Sequence, residues 1–323
     1  MRPFTYAAPE SVREALERAG AGSAFLAGGT TLVDLMKLEV VAPEHVLDIT
    51  GLPLRGIERQ GGGVRIGAME RMSDVAEHAL VTRAYPVLAE ALTQSASPQI
   101  RNMATIGGNL LQRTRCGYFR DVAMPCNKRD PGSGCPAIEG ANRTHAVLGT
   151  SDACAATHPS DLAVALVALD ATVRLAGRDG TRDVRLADFY RLPAGTPHQE
   201  NELRPGELIA AVSVPALPWA RRSTYVKVRD RRSYEFALTS AAVAVDVRDG
   251  VIAGARVAAG GVGTRPWRLP AVERALIGRR MTEEAFESAT AGAAEGARPL
   301  AHNGFKPSLL RRTIVRALMK LAG

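Results

Sequence analysis

Four cysteines, all within one short segment, constrain this 323-residue chain more than any other feature of its sequence. They lie at Cys116, Cys126, Cys135 and Cys154, and the chain has no others. Glycine or proline stands beside three of these thiols, and the segment has neither helical nor strand periodicity. We therefore predict an irregular loop of a kind that can wrap around an inorganic centre.

The cysteine pattern by itself leaves three interpretations open. Four thiolates suit either a 4Fe–4S cluster or a structural zinc ion. Zinc sites usually bring their ligands in close C-x-x-C pairs, which are absent here, so the wide and unequal gaps favour a cluster. Cysteine is also often a small buried residue with no ligand, whereas disulfides are disfavoured in a chain that folds in a reducing compartment.

The charge and hydropathy of the chain limit its partners. The net charge is +8 and the sequence pI is about 9.7, but the basic residues are dispersed among acidic and apolar ones. This dispersal argues against a nucleic-acid partner and favours an anionic cofactor or an acidic partner subunit. No apolar run approaches the ~20 residues that span a bilayer, and the first residues lack a signal-peptide core. We expect no membrane insertion, synthesis in the cytoplasm, and export only with a partner that carries a signal.

Two glycine pairs are candidate phosphate-binding segments. "AGGTT", residues 27–31, lies between a predicted strand and a predicted helix, and "ATIGGN", residues 104–109, is a second predicted glycine turn. Glycine lets backbone amides approach a phosphate without a Cβ clash. Purely structural turns are the alternative interpretation, and neither segment matches the G-x-G-x-x-G or P-loop patterns.

The remaining patterns predict a mixed α/β chain with a change of character near residues 216–222. A helix begins after Ser11, and further short strands follow the "AGGTT" segment at residues 45–50 and 61–69. An apolar helix followed by a strand spans residues 161–177. Beyond residue 218 we predict strands joined at Asp249–Gly250, two helices, and a closing amphipathic helix.

Several segments together resemble one known family. "AGGTTLVDLMK", "SPQIRNMATIGGNL", "THPSDLAVALVALDA" and "YVKVRDRRSYEFALTSAAVAV" are similar, in this order, to signature segments of the FAD-binding subunits of the molybdenum hydroxylases. The resemblance covers essentially the whole chain. The insert "QRTRCGYFRDVAMPCNKRDPGSGCPAIEG" further resembles that of the 4Fe–4S-carrying flavin subunits of bacterial periplasmic aldehyde oxidoreductases.

The resemblance implies an α+β fold. Residues 1–218 would form a vanillyl-alcohol-oxidase-like (PCMH-type) FAD-binding domain of two subdomains. A cluster-binding insert would occupy about residues 112–156 of this domain. Residues 219–323 would form a smaller α+β domain with an antiparallel sheet.

The resemblance also implies the site residues. The FAD pyrophosphate would lie on the first turn, and the second segment would contact the flavin and its diphosphate. The implied FAD-binding residues are Leu26, Ala27, Gly28, Gly29, Thr30, Thr31, Leu32, Thr105, Ile106, Gly107, Gly108, Asn109, Asp161, Ile209 and Lys227. The implied 4Fe–4S ligands are Cys116, Cys126, Cys135 and Cys154.

By the same resemblance, the chain is an electron-transfer subunit with no catalytic residue of its own. A molybdenum-cofactor large subunit would oxidise the aldehyde. A small subunit with 2Fe–2S clusters would pass electrons to FAD here, which would reduce an external acceptor. The assembly would be a heterotrimer, exported to the periplasm by a signal on the small subunit. Alternatives are the flavin subunit of a xanthine or nicotinate dehydrogenase or of a 4-hydroxybenzoyl-CoA reductase and, more remotely, a zinc-stabilised binding module without redox function.

Overall fold

The computed structural model describes residues 1–323 and contains three β-sheets. A three-stranded parallel sheet has the order β1-β3-β2 and consists of β1 (Thr5–Ala7), β2 (Ser23–Leu26) and β3 (His45–Asp48). A five-stranded antiparallel sheet has the order β4-β5-β8-β6-β7 and consists of β4 (Ile57–Gln60), β5 (Gly63–Gly67), β6 (Thr172–Gly177), β7 (Gly180–Arg185) and β8 (Leu208–Val214). A four-stranded antiparallel sheet has the order β12-β11-β10-β9 and consists of β9 (Ser223–Val228), β10 (Thr239–Arg248), β11 (Val251–Gly260) and β12 (Trp267–Arg268).

Thirteen α-helices and one 3₁₀-helix, Pro218–Arg221, accompany the sheets. The α-helices are α1 (Val12–Arg18), α2 (Leu32–Lys37), α3 (Met72–Glu77), α4 (Ala79–Ala84), α5 (Pro86–Thr93), α6 (Pro98–Arg101), α7 (Ile106–Leu110), α8 (Gly117–Arg120), α9 (Asp161–Ala168), α10 (Leu186–Phe189), α11 (Pro270–Leu276), α12 (Glu283–Ala289) and α13 (Lys306–Ala322). The predicted cap of α1 is confirmed, since Ser11 Oγ accepts a hydrogen bond from the Glu14 amide at 3.1 Å.

The second glycine pair was predicted as a turn, and this prediction is wrong. Gly107 and Gly108 lie inside α7, which Thr105 caps by accepting a hydrogen bond from the Gly108 amide at 3.2 Å. A threonine cap followed by a buried isoleucine outweighs the low helix propensity of two glycines. Gly107 allows close packing, because a Cβ there would lie 3.0 Å from the Cβ of Ala68.

The C-terminal sheet forms as the sequence predicts. Asp249 and Gly250 both have positive φ angles, +49° and +74°, and join β10 to β11 in a tight hairpin. α13 packs its buried face, which includes Leu310, Ile314 and Leu318, on this sheet.

α9 carries the main core of the molecule. All eight of its residues are buried, because it lies between α5 on one side and β10 and β11 on the other. A helix that is apolar all round needs such two-sided burial. The first residue of α9, Asp161, therefore lies deep in the protein, beside the four-stranded sheet.

The segment with the cysteines is irregular apart from α8, as predicted. It reaches from the N-terminal part of the chain to the four-stranded sheet. There the amides of Val147 and Leu148 both donate to the carbonyl of Val262, at 2.8 and 2.9 Å, and both side chains are buried in the core of that sheet.

The predicted α+β fold class, with an antiparallel sheet in the C-terminal part, is confirmed. Residues 215–222 connect the five-stranded sheet to the four-stranded sheet, and the domain boundary at residue 218 stays a prediction. Among the helices, none combines the length and apolar character needed to cross a bilayer.

Candidate functional site

Two large cavities meet at the first glycine turn. One, of about 660 Å³, extends from this turn along β2, α2 and β8. The other, of about 500 Å³, extends towards α9 and β9. Thr30, Thr31 and Gly108 line both cavities, so the two form one elongated site across the N-terminal half and the C-terminal sheet.

The first glycine turn is built for close contact and leaves its amides free. A Cβ on Gly28 would lie 1.9 Å from the carbonyl oxygen of Met103, so only glycine fits there. Gly29 has a left-handed φ of +71°. The backbone amides from Gly28 to Thr31 make no backbone hydrogen bond, and they are available to the phosphate groups of a bound ligand.

The second glycine segment has a different role, because its amides are already used. The amides of Ile106 and Gly107 donate to the carbonyls of Glu70 and Ala68 at 2.9 and 2.8 Å. Asn109 is buried, and its Oδ1 accepts a hydrogen bond from Ser160 Oγ at 2.6 Å. This segment therefore shapes the wall of the site and connects it to the start of α9.

The structure places nearly all the predicted FAD-binding residues on this elongated site. Ile209 lies on the wall of the larger cavity, and Asp161 and Lys227 lie on the wall of the smaller one. The other predicted residues on these walls are Ala27, Gly28, Gly29, Thr30, Thr31, Leu32, Thr105, Gly107, Gly108 and Asn109. Leu26 and Ile106 line neither cavity; Leu26 ends β2, and Ile106 is buried in the main core.

A buried ion pair closes the smaller cavity where α9 meets the C-terminal sheet. Lys227 Nζ lies 2.7 Å from Asp161 Oδ2, and the two side chains are only 1% and 6% exposed. The ammonium also donates to the carbonyl of Gln94 at 3.1 Å. The carboxylate further accepts from Ser95 Oγ at 3.1 Å and from the Tyr225 hydroxyl at 2.6 Å.

Strand β9 supplies two of the partners of the Asp161 carboxylate, Tyr225 and Lys227. Tyr225 and Lys227 stand two residues apart on β9 and therefore project on the same face of the sheet. Burial, and then the charge of Asp161, raise the pKa of Tyr225, so its hydroxyl keeps its proton and donates. Asp161 does not cap α9: Ser160 is the N-cap of this helix, and Asp161 is its first residue.

Sequence reasoning missed one wall of the site. The loop between β9 and β10 folds over the smaller cavity and contributes Arg231, Tyr234 and Phe236. Arg115 stacks on the Phe236 ring at 5.1 Å and pairs with Asp34 at 3.1 Å. The only feature of the sequence that could have indicated this wall is the pair of aromatic residues in a basic loop, because aromatic residues are rare in this chain.

The four cysteines converge on a third, small cavity. Cys116, Cys126, Cys135 and Cys154 all line it, together with mainly apolar residues. All four are free thiols. As they stand, however, no group of three or more His, Cys, Asp or Glu side chains has a geometry that could hold a metal ion.

The thiols interact with each other in this cavity. A hydrogen bond from the Cys154 thiol lowers the pKa of Cys135 to about 7, and the same bond raises the pKa of Cys154. Burial raises the pKa of Cys116 to about 11. In residue type and apolar surroundings the four sulfurs fit the donor set of an iron–sulfur cluster.

His158 lies in the segment in front of α9. Its Nδ1 accepts a hydrogen bond from the Ser160 amide at 3.4 Å, and its ring packs edge-on against Tyr190 at 4.4 Å. Burial lowers its pKa to about 3, which keeps it neutral.

We expect Lys227→Met to lower the free energy of unfolding by about 3–5 kcal/mol, because it leaves the Asp161 carboxylate buried without its cation. The double variant Lys227→Met/Asp161→Asn should recover much of this loss. Urea-induced unfolding measures the free energy of unfolding of each variant. Lys320→Met removes a half-exposed pairing with Glu90 and should cost about 0–1 kcal/mol. Equal losses for Lys227→Met and Lys320→Met would contradict the prediction.

Comparison with known protein families divides the chain into two matches. Residues 2–217 match the FAD binding domain in molybdopterin dehydrogenase. Residues 224–321 match the CO dehydrogenase flavoprotein C-terminal domain. The first match contains the glycine turn, Asp161 and all four cysteines, and the second contains Lys227.

Individual relatives match over nearly the whole chain. The aldehyde oxidoreductase FAD-binding subunit PaoB of Escherichia coli (strain K12) is 49% identical over 322 residues, which cover 98% of each chain. The glyceraldehyde dehydrogenase medium chain of Sulfolobus acidocaldarius is 29% identical, over 98% of this chain and 95% of the relative. Among solved structures, a similar chain occurs in a carbon monoxide dehydrogenase from Hydrogenophaga pseudoflava, which lacks the Mo-pyranopterin moiety of the molybdenum cofactor. The TM-score is 0.75 and the sequence identity is 29%, and the match covers 98% of this chain and 97% of that chain. These matches confirm the predicted assignment to an oxidoreductase subunit, and the chain belongs to the FAD-binding subunits of the molybdenum hydroxylase family.

Proposed function

We propose that this chain is the FAD- and 4Fe–4S-containing electron-transfer subunit of a molybdenum-dependent aldehyde oxidoreductase. It would accept electrons from the 2Fe–2S clusters of a partner subunit and pass them to an external acceptor. The observation that carries the proposal is the elongated site between the first glycine turn and the Asp161–Lys227 pair, in a chain 49% identical to an aldehyde oxidoreductase FAD-binding subunit.

The first glycine turn fits the diphosphate of FAD. Its unpaired amides supply neutral donors to an anionic group. FAD supplies the conversion between one-electron carriers and a two-electron acceptor, and the protein binds and orients it. The larger cavity is lined mainly by apolar residues, which favours aromatic or aliphatic parts of the ligand away from its phosphates.

The buried ion pair fixes the opposite end of the site. Because Asp161 neutralises Lys227, a bound flavin would meet a nearly neutral pair and not an isolated cation. Lys227 retains one donor direction beyond its contacts with Asp161 and Gln94. The pair would therefore orient the ring system by hydrogen bonding.

Support for the cluster comes from the shared cavity of the four cysteines and from its apolar lining. Cys116, Cys126, Cys135 and Cys154 would be the ligands, as thiolates. Rotations of the side chains must bring the four sulfurs into ligating geometry, because no three of them have it in this structure. A structural zinc ion would use the same donors, and metal analysis separates the two.

The relatives support a multi-subunit assembly, since their names describe a subunit and medium chains. We propose a heterotrimer with a molybdenum-cofactor large subunit and a 2Fe–2S small subunit. We further propose that the folded complex is periplasmic, exported by a signal on a partner chain.

Anaerobically purified protein should contain FAD and about four iron atoms per chain. Its absorption spectrum should show flavin bands and a broad shoulder that dithionite bleaches. Iron, zinc and acid-released flavin are quantified on the same sample. Zinc without iron would refute the cluster but leave the flavin assignment intact, whereas absence of flavin would refute the electron-transfer function.

Gly28→Ala should purify with at least tenfold less flavin, because the added Cβ would collide with the Met103 carbonyl and force the turn away from α7. Gly20→Ala is the matched control, since a Cβ on Gly20 meets no atom within 4 Å. Flavin released by acid is measured against the protein concentration. Full flavin content in Gly28→Ala would contradict the role of this contact.

Fractionation of cells that produce the whole complex should recover this chain in the periplasmic fraction. Removal of the signal from the partner should retain it in the cytosol, because the proposed export route depends on the partner's signal. Detection of the native complex only in the cytosolic fraction would contradict the proposed location.

A further inference from the structure

One histidine contacts a cysteine of the candidate cluster site. Nε2 of His145 lies 3.2 Å from Sγ of Cys116, and the side chain is buried. The other ring nitrogen, Nδ1, has no hydrogen-bond partner. The contact with the sulfur is therefore the only hydrogen bond that this imidazole makes.

The C-terminal half of the molecule holds this histidine in position. Asn303, which is fully buried, donates from Nδ2 to the carbonyl of His145 at 3.2 Å. Lys306, the first residue of α13, donates to the carbonyl of the preceding Thr144 at 3.0 Å. The backbone of His145 is thus fixed from outside the cysteine loop.

The contact lies on the side of the cysteine cavity that faces the elongated site. Cys116 and His145 both line a separate cavity of about 220 Å³. Asp161 and Phe236 also line that cavity, and both reappear on the wall of the smaller part of the elongated site. Of the four cysteines, Cys116 is the only one that lines this connecting cavity.

A cysteine that ligates iron is a thiolate and can only accept a hydrogen bond. The proton in the contact must then be on Nε2 of His145. Such a bond withdraws negative charge from the sulfur, and this stabilises the reduced cluster, which carries one more electron. Hydrogen bonds to the sulfurs are among the factors that set the reduction potential of an iron–sulfur cluster.

We propose that His145 is a positioning residue that donates a hydrogen bond from Nε2 to the Cys116 thiolate and raises the reduction potential of the cluster. The proposal rests on the 4Fe–4S cluster of the proposed function. It assigns to Cys116 the side of the cluster that faces the flavin.

The test compares His145→Leu, which removes the donor, with His145→Gln, which keeps an N–H donor. Each variant is purified anaerobically as the full chain with any partner subunits that accompany it, and the midpoint potential of the cluster is measured by EPR-monitored redox titration. In His145→Leu the equilibrium constant for one-electron reduction should fall about tenfold, which corresponds to about 59 mV. His145→Gln should change the midpoint potential by a smaller amount, because the glutamine amide can still donate to the sulfur.

His158→Leu is the matched control. His158 is a second histidine beside the cysteine segment, and its Nδ1 accepts a hydrogen bond from a backbone amide instead of contacting a thiol. Its cluster potential should equal that of the wild type. An unchanged potential in His145→Leu, or an equal shift in His158→Leu, would overturn the proposal. Loss of iron from both His145 variants would also overturn it, because His145 would then be needed to build the site. Wild-type protein without iron would instead refute the cluster itself.

Discussion

The site in this protein depends on one buried ion pair between two parts of the chain. Asp161 begins α9, in the N-terminal part, and Lys227 lies on β9, in the C-terminal sheet. A charge buried at this depth is costly unless it is paired and hydrogen-bonded. Tyr225, Ser95 and the carbonyl of Gln94 supply the remaining hydrogen bonds. The pair therefore holds α9 against the sheet in one register, and it defines the end of the smaller cavity.

The glycine turn acts at the other end of the site by a steric constraint. Gly28 brings the turn against the backbone of Met103, two residues before the cap of α7. Asn109 then connects α7 to α3 and α9 through its hydrogen bonds with Met72 and Ser160. The glycine turn, α7 and the start of α9 are therefore connected by successive contacts along one wall of the site.

The cysteine segment connects the N-terminal part of the chain to the C-terminal sheet through backbone hydrogen bonds and apolar packing. It has almost no regular structure, but its end pairs with the backbone of Val262 and buries Val147 and Leu148 in the C-terminal core. Asn303 and Lys306 hold residues 144–146 from the side of α13. A loop anchored at this many points is pre-organised, which lowers the entropic cost of gathering four ligands around one centre.

The sequence by itself determined the features that depend on local patterns. Periodicity and caps located α1, α9 and α13, the Asp249–Gly250 hairpin followed from turn chemistry, and the family signatures pointed to Asp161, Lys227 and the glycine turn. Local patterns also misled once, at Gly107 and Gly108, where a threonine cap and packing against Ala68 made a helix from residues that favour turns. Only the tertiary structure decided which cavity each residue lines, that Asp161 and Lys227 are paired, that the β9–β10 loop forms a wall, and that His145 contacts Cys116. These contacts join residues tens of positions apart, and their distances depend on how α9 and the sheets pack, which no local pattern in the chain encodes.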